Sequence, residues 1–339
     1  MFSARPYNGS PTNAYRYNDT NERYEYYQQL TGKSDAKQIE HFIINGQLYV
    51  FVINYKIGEK ENIDSYIYIF DSRTGFLAQH QTLDTWGGHD ASYLELNSNH
   101  YLLVVDYREQ HSVVNSTVYK WNFNNTQFVE YAKIPVRGGH SGKLFSMDGV
   151  LYAAIANYLT TTNEYTIKSH VWKLKQGGVT ELVQSLDESG AGSTGIDAFT
   201  NDGDTFLVGV NKLGMDCAQN TIVYRWDKST NEFKIHQRIP VEHCAYRSTI
   251  FKVGGEVFII IATTRSERGG SSNDKYTSSS PIFKLEGITM FIKYGAMTSH
   301  ACFDITFFER DGEYFLGQSN IRNVNGGLSN AALNIYQWL

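Results

Sequence analysis

The hydrophobic residues of this chain fall in short runs separated by polar turn residues, and the pattern repeats about every 50 residues. The most apolar run of each repeat begins with an aromatic residue, and successive aromatics lie 51 to 57 positions apart. These residues are Tyr49, Tyr101, Tyr152, Phe206, Phe258 and Phe315. Self-similarity at this period indicates a solenoid, a propeller or a repeat array rather than several unrelated domains.

Each repeat contains four short runs with the spacing of β-strands, and in the third repeat they cover residues 143–147, 151–157, 170–174 and 179–186. A two-residue turn such as Asp148-Gly149 joins the first run to the second, which is a strong hairpin signal. The other links are longer. Because adjacent strands run in opposite directions, both long links of a repeat emerge at one end, which we call the long-loop face. Binding residues are expected there.

The second run of each repeat is continuously apolar, as in residues 50–53, 102–105 and 259–262, so both of its sides are expected to be covered. A linear solenoid is the alternative, but four strands in about 50 residues match the size of a propeller blade. The sequence therefore predicts an all-β fold, a six-bladed β-propeller of four-stranded antiparallel blades. The innermost strands are predicted to begin near Ile39, Ala91, Gly142, Ile196, Ser248 and Ile305.

The two ends of the chain predict how the propeller closes. The last repeat stops at Leu339 without a fourth strand, whereas residues 24–30 resemble a fourth strand without a first and second strand before it. This N-terminal strand is expected to complete the C-terminal blade. Residues 15–17 then either form a hairpin with residues 24–30 or pair with a second copy of the chain, giving a homo-oligomer. Residues 13–339 are predicted to form a single propeller, preceded by a flexible tail over residues 1–12.

Composition and charge narrow the classes of function. The formal net charge is −5 and the 30 Lys and Arg residues form no basic stripe, which argues against nucleic-acid binding. No apolar run is long enough for a membrane span. The three cysteines are too few for a disulfide framework. Cys217 and Cys244 are the candidate disulfide, Cys244 with Cys302 is a rival pair, and buried free thiols are the remaining alternative.

Polar residues alternate along the predicted innermost strands, which border the central channel of a propeller. Four acidic residues among them are candidate oxygen ligands for a hard cation such as Ca²⁺ in that channel. They are Glu40, Asp90, Asp197 and Asp304. Ion pairing of these carboxylates with Lys143 and Arg247 is the alternative, and no EF-hand or other compact calcium loop is present in the sequence.

The predicted links into the innermost strands contain four of the ten histidines, and two of these follow a Gly-Gly pair. Imidazoles at the long-loop face suit ligand contact, metal binding or a response to pH, and a neighbouring tryptophan offers a stacking surface. Local hydrogen bonding of polar loop residues is the plainer interpretation. The candidate ligand-binding residues are Trp86, His89, Asp90, His140, Ser141, His243 and His300.

Two stretches of the second repeat show a family resemblance: residues 118–122 read VYKWN and residues 128–135 read FVEYAKIP. Together with the hairpins before them, these phrases resemble the EAR repeat, also called the EPTP repeat, and they recur from about Tyr15 to Leu339. The resemblance implies an extracellular, non-catalytic β-propeller that binds other proteins. The family usually has seven units, whereas this chain has six.

We therefore expect a secreted recognition or adhesion module that binds an extracellular protein through the long-loop face. A carbohydrate-binding lectin is the alternative, because the Gly-Gly-His loops recur and repeated blades offer repeated glycan sites. The sequence lacks the motifs of a serine hydrolase, a zinc protease, a phosphate loop and a dinucleotide site, so an enzyme is not expected. A hydrolase or lyase that uses the channel carboxylates ranks third.

Overall fold

The structure is a computed structural model. It describes residues 2–3, 11–31, 35–58, 60–107, 114–158, 167–188, 192–212, 217, 219–265, 276–287, 290–320 and 333–339. The chain divides into two compact units, and each is described by itself below. The first contains Met1–Ile155 and Trp172–Leu182, and the second contains Ala156–Val171 and Val183–Leu339. No helix in the described parts of the chain is long and apolar enough to cross a membrane.

Antiparallel sheets make up the fold. The N-terminal sheet contains β1 (Phe2–Ser3), β2 (Thr12–Asn18) and β3 (Arg23–Thr31). The first blade contains β4 (Ala36–Ile44), β5 (Gln47–Asn54), β6 (Asn62–Asp71) and β7 (Phe76–Trp86). The second contains β8 (Gly88–Leu96), β9 (Asn99–Asp106), β10 (Val114–Asn122) and β11 (Gln127–Val136). The third contains β12 (Gly139–Met147), β13 (Val150–Asn157), β14 (His170–Leu174) and β15 (Thr180–Ser185), with a 3₁₀ helix at Gln176–Gly178.

The remaining sheets follow in chain order. The fourth blade contains β16 (Ser193–Asn201), β17 (Asp204–Asn211), β18 (Thr221–Asp227) and β19 (Glu232–Ile239). The fifth contains β20 (Ala245–Val253), β21 (Glu256–Thr263), β22 (Thr277–Glu286) and β23 (Met290–His300). The sixth contains β24 (Cys302–Arg310), β25 (Glu313–Asn320) and β26 (Leu333–Trp338). The fold is the predicted six-bladed β-propeller.

Tight turns join the first and second strands of the blades, as predicted. In the first blade φ is 51° at Asn45 and 75° at Gly46, and the third blade repeats these values within about a degree at Asp148 and Gly149. Two successive left-handed residues form the turn type that matches the twist of a two-stranded ribbon. The same geometry occurs at Asn97-Ser98, Asp202-Gly203, Gly254-Gly255 and Asp311-Gly312.

The repeated aromatic residue belongs to the core between neighbouring blades. In the first unit, Tyr49 of β5 lies in one apolar cluster with Trp121 and Phe128 of the second blade. In the second unit, Phe258 of β21 packs with Trp338 of β26, their ring centroids 4.9 Å apart. The second strands are buried on both sides, as their continuous apolar runs predict. Faces of adjacent sheets therefore bury one another.

In several blades a glutamine side chain of the outer strand forms hydrogen bonds with the outer strand of the next blade. Gln81 of β7 donates from Nε2 to the carbonyl oxygen of Phe128 at 2.7 Å and accepts from the amide nitrogen of Phe128 at 2.9 Å. The pairs Gln184 with Phe233 and Gln237 with Phe291 repeat this arrangement. An outer strand ends its sheet and presents unpaired backbone groups, so each glutamine satisfies one donor and one acceptor on an exposed edge.

Strand β3 takes the place of a fourth strand before the first blade. Gln28 of β3 makes the same two bonds with the backbone of Leu77, at 2.7 and 2.9 Å. The predicted hairpin is also present, since β2 pairs with β3 and places Tyr17 opposite Tyr24. These contacts place β3 beside the outer strand of the first blade. Its pairing with the last blade stays a prediction. Part of the predicted flexible tail is a short strand, because β1 pairs with β2. Residues 4–10 of that tail lie outside the described residues.

The innermost strands begin three residues earlier than predicted, and the predicted starts were wrong. They begin at Ala36, Gly88, Gly139, Ser193, Ala245 and Cys302. In the first blade Ala36 is paired with Asn54 and Gln38 with Ile53, which leaves one extra residue between them. Such a β-bulge interrupts the alternation of side chains. The residues before the bulge therefore fall outside the alternating pattern from which the starts were predicted.

We expect Gln81→Ala to lower the free energy of unfolding by about 1 to 3 kcal/mol, because an edge donor and an edge acceptor of Phe128 lose their partner. Gln79→Ala is the matched control, since Gln79 lies on the same strand and is exposed. Within the described part of the chain its side chain bonds only to Thr82. Urea unfolding of both variants measures the effect. Equal stability of the two variants would show that the glutamine bond contributes nothing.

Candidate functional site

The innermost strand has a β-bulge at its second position in the first, second, fourth, fifth and sixth blades. In the second blade, for example, Gly88 pairs with Asp106 and Asp90 with Val105, so His89 is the extra residue. His140 holds the same second position in β12. Bulges redirect a side chain and are frequent beside functional sites. The residues at this position, called the bulge residues here, are Lys37, His89, His140, Thr194, Tyr246 and Phe303.

The bulge residues of the first unit join two tyrosines in one cluster at the long-loop face. Tyr55 and Tyr107 each follow the last residue of a second strand. Lys37 Nζ lies 4.6 Å from the Tyr55 ring centroid, and the Tyr55 and His89 rings are 5.9 Å apart. Tyr107 lies 5.5 Å from the His89 ring and 6.3 Å from the His140 ring. We call Lys37, Tyr55, His89, Tyr107 and His140 the first cluster.

The two histidines form the buried floor of the first cluster. His89 is 6% exposed and His140 is 5% exposed, with their ring centroids 3.9 Å apart. His89 Nδ1 lies 2.9 Å from the carbonyl oxygen of His140, a hydrogen bond in which the protonated ring nitrogen donates. Tyr55 and Lys37 are only half-buried. A ligand at this face therefore meets Tyr55 and Lys37 first.

The glycine before each of these histidines is required by a close backbone approach. A Cβ atom at Gly88 would lie 2.9 Å from the carbonyl oxygen of Asn54 in the first blade. A Cβ atom at Gly139 would lie 2.9 Å from the carbonyl oxygen of Asp106 in the second blade. The Gly-Gly-His sequences thus reflect the packing of each strand start against the preceding blade.

The structure brings together only part of the predicted ligand-binding set. His89, His140, Asp90 and Ser141 lie at adjacent strand starts in the first unit, and Trp86 is half-buried at the end of β7. Asp90 uses both carboxylate oxygens on backbone amides, accepting from Ala91 at 3.0 Å and from Gly142 at 3.0 Å.

The histidine positions differ from the prediction that all four lie in links. His89 and His140 belong to β8 and β12, because those strands begin earlier than predicted. His300 lies at the end of outer strand β23, 3.3 Å from the Thr277 hydroxyl. Among the four, His243 lies in a link, in the second unit. The predicted set is therefore not one site within either unit.

The predicted calcium ligands serve at least partly as backbone acceptors. Asp197 accepts from the amide of Ala198 at 2.8 Å, and Asp304 accepts from that of Ile305 at 3.0 Å. Glu40 is half-buried on β4. Among the described residues no three His, Cys, Asp or Glu side chains are grouped as metal ligands. Calcium binding stays a prediction.

The second unit contains the disulfide and a second group of aromatic and basic side chains. Cys217 and Cys244 are joined, with their Cα atoms 4.1 Å apart, and Cys302 is a buried free thiol. Burial raises the pKa of the Cys302 thiol well above its ordinary value. Beside the disulfide, Lys212 Nζ lies 5.7 Å from the ring centroid of the bulge residue Tyr246.

Asp106 is a residue of interest that the sequence analysis did not single out. Four repeats end their second strand with asparagine, and Asn54 donates from Nδ2 to the carbonyl oxygen of Asp64 at 2.7 Å. The second blade has Asp106 there, 3% exposed and accepting from the amide of Trp86 at 2.9 Å. Burial raises the pKa of Asp106 to about 8, against the lowering effects of that bond and of Lys133. Its carboxyl is therefore largely neutral at pH 7, with a proton to donate as asparagine does.

The sheets described above define the class of the chain, which is a β-propeller. Residues 77–122 match the sequence model of the EPTP domain, which confirms the resemblance in the second repeat and its surroundings. The human thrombospondin-type laminin G domain and EAR repeat-containing protein is 26% identical over 157 residues, covering 46% of this chain and 23% of the relative. The mouse protein of that name is 24% identical over the same length. The match thus spans about a quarter of these relatives.

Solved structures show the same fold at low identity. The periplasmic gluconolactonase of Pseudomonas aeruginosa has a TM-score of 0.65 and 12% identity, covering 100% of this chain and 94% of that chain. A protein from Lactobacillus plantarum has a TM-score of 0.62 and 10% identity, covering 99% and 94%. At these identities the likeness concerns the fold alone.

Asp106→Asn is expected to remove a pH dependence of stability. The pKa of Asp106 is raised from 3.8 to about 8 in the folded chain, so folding binds a proton between these values and stability falls as pH rises through this range. The variant should therefore gain roughly 1 to 4 kcal/mol at pH 8 and little at pH 4. Urea unfolding across pH 4 to 9 measures this difference, and Asn54→Asp is the matched control that should create the same dependence. Parallel pH profiles of wild type and Asp106→Asn would contradict the assignment.

Reduction of the Cys217–Cys244 disulfide is expected to lower stability by about 3 to 4 kcal/mol, because the bond closes a loop of 27 residues in the unfolded chain. Thermal unfolding with and without dithiothreitol measures the loss. The double variant Cys217→Ala with Cys244→Ala should show no further response to the reductant. A reductant effect of equal size in that variant would place the sensitive group elsewhere.

Proposed function

We propose that this chain is a non-catalytic recognition module that binds a protein partner at the long-loop face, with the first cluster as a contact area. The observation that carries the proposal is the series of bulges at the starts of the innermost strands. These bulges place lysine, histidine and aromatic side chains beside the loops. Side chains held by strands are better ordered before binding than side chains on free loops, which reduces the entropy lost on association.

The exposed part of the first cluster has the chemistry of an interface anchor. The Tyr55 ring is half-buried and lies near two ammonium groups, with Lys37 Nζ 4.6 Å and Lys56 Nζ 5.9 Å from its centroid. The Tyr55 amide donates to the carbonyl oxygen of Asp35 at 2.8 Å, which fixes its backbone. Tyrosine combines apolar area with a polar tip, and it is enriched among residues that dominate binding energies.

The match of residues 77–122 to the EPTP domain supports a protein-binding role, because the family resemblance implies a propeller that binds other proteins. An extracellular location fits the Cys217–Cys244 disulfide, since such bonds persist in oxidising compartments. Asn124, in an Asn-Asn-Thr sequence, is exposed in a turn and is a suitable acceptor for glycosylation. The similar gluconolactonase contributes the fold only.

The test is a binding screen of the purified chain, displayed as a tetramer, against purified cell-surface ectodomains and a glycan array. For an ectodomain that binds, Tyr55→Ser combined with Lys37→Gln should weaken affinity at least tenfold, because a central aromatic and a charge are removed. The melting temperature should change little, since both residues are only half-buried and the histidine floor is kept.

Tyr26→Ser combined with Lys252→Gln is the matched control. Tyr26 is 63% exposed on β3, and Lys252 is exposed one residue before the end of β20, near its tight turn. Equal affinity of the site variant and this control would place the interface elsewhere. Glycan binding without ectodomain binding would favour the lectin alternative, and turnover of lactones or glycosides would contradict a non-catalytic role.

A further inference from the structure

The second unit contains a basic site at the long-loop face that the proposed function does not yet use. Lys212 follows β17 directly, and its backbone amide donates to the carbonyl oxygen of Gly192 at 2.9 Å. Its Nζ atom lies 5.7 Å from the Tyr246 ring. In the first unit Tyr55 and Tyr107 hold the position of Lys212 after their second strands. A cation here therefore replaces an aromatic residue of the repeat.

A second cation is held beside Lys212 by the backbone around the disulfide. The amide of Cys244 donates to the carbonyl oxygen of Arg265 at 3.0 Å, and the amide of Thr264 donates to the carbonyl oxygen of Cys244 at 2.9 Å. Arg265 Nε lies 3.2 Å from Cys244 Sγ. The half-buried guanidinium is thereby fixed next to the Cys217–Cys244 bond, and it acts on Lys212 as a like charge.

Two aromatic rings, Tyr246 and Phe303, pack together beside Lys212. The ring centroids of Tyr246 and Phe303 are 4.2 Å apart, and Tyr246 is 9% exposed. Among the described residues no carboxylate forms an ion pair with Lys212. Burial, with a smaller contribution from Arg265, lowers the pKa of Lys212 to about 8. An anion that enters would relieve this repulsion in an environment where water screens charges weakly.

We propose that Lys212, Arg265 and Tyr246 form a receptor site for a carboxylate, supplied by an acidic side chain of the protein partner. The guanidinium and ammonium donate to the carboxylate oxygens, and the Tyr246 ring supports the aliphatic stem of Asp or Glu. That the carboxylate belongs to a protein partner rests on the proposed function. The ability of the site to bind a carboxylate does not depend on it. Binding should therefore be detectable with a small peptide alone.

The probe is the peptide acetyl-Gly-Glu-Gly-amide, with acetyl-Gly-Gln-Gly-amide as its neutral match and inorganic sulfate as a second anion. Side-chain NMR of isotopically labelled lysine follows Lys212 in the full chain. We expect a saturable shift of the Lys212 signal with the glutamate peptide and none with the glutamine peptide. The titration midpoint of Lys212, about 8 without ligand, should move upward on saturation because the carboxylate favours the charged amine.

Lys212→Met should weaken binding of the glutamate peptide roughly ten- to hundredfold. Lys252→Met should leave it unchanged, because Lys252 is exposed near the tight turn that ends β20. Binding of this peptide would support the site even if no ectodomain binds, so the two proposals fail separately. No saturable shift, an equal shift with the glutamine peptide, or equal binding by Lys212→Met would overturn the site. Tighter binding of sulfate than of the glutamate peptide would overturn its assignment to a carboxylate.

Discussion

Burial of the second strand on both sides is the constraint on which the rest of the structure depends. A strand such as β5, apolar on both faces, is unstable in an isolated sheet and needs a neighbouring blade on each side. The repeated aromatic residues meet this need by packing into the next blade, as Tyr49 does with Trp121 and Phe128. Sequence repetition follows from the packing, because every blade presents the same faces to its neighbours.

Once the faces are buried, two weak points of the blades remain: their outer edges and their loop ends. The outer edges are closed by side chains of the neighbouring strand, as when Gln81 bonds both backbone groups of Phe128. The strand starts are packed so closely that Gly88 and Gly139 have no room for a Cβ atom. At those starts the bulges redirect side chains such as His89 toward the loops. The strand starts that pack most closely against the preceding blade therefore also present the candidate binding residues.

Features encoded by neighbouring residues were predictable from the sequence. The turn at Asn45-Gly46 depends on two adjacent left-handed residues. The repeated aromatic residues are recognised by their nearly constant spacing along the chain. Features that depend on distant partners were not. The bulge at His89 is defined by the register with β9, and no local signal marks it. Gln81 and Phe128 are 47 residues apart. A Leu or Phe four residues before Gln81 and Gln237 was the one local signal that a repeat alignment could have used.

The central claim is that the redirected residues of the first unit form a protein-binding surface. Hydrogen–deuterium exchange of the chain, alone and saturated with a bound ectodomain, tests this most directly because it maps the contact without any mutation. Slower exchange is expected in residues 55–58, 60–61 and 86–89, which include or adjoin Tyr55 and His89 at the long-loop face. Protection confined to the tight turns at Asn45-Gly46 and Asn97-Ser98, on the opposite face, would contradict it.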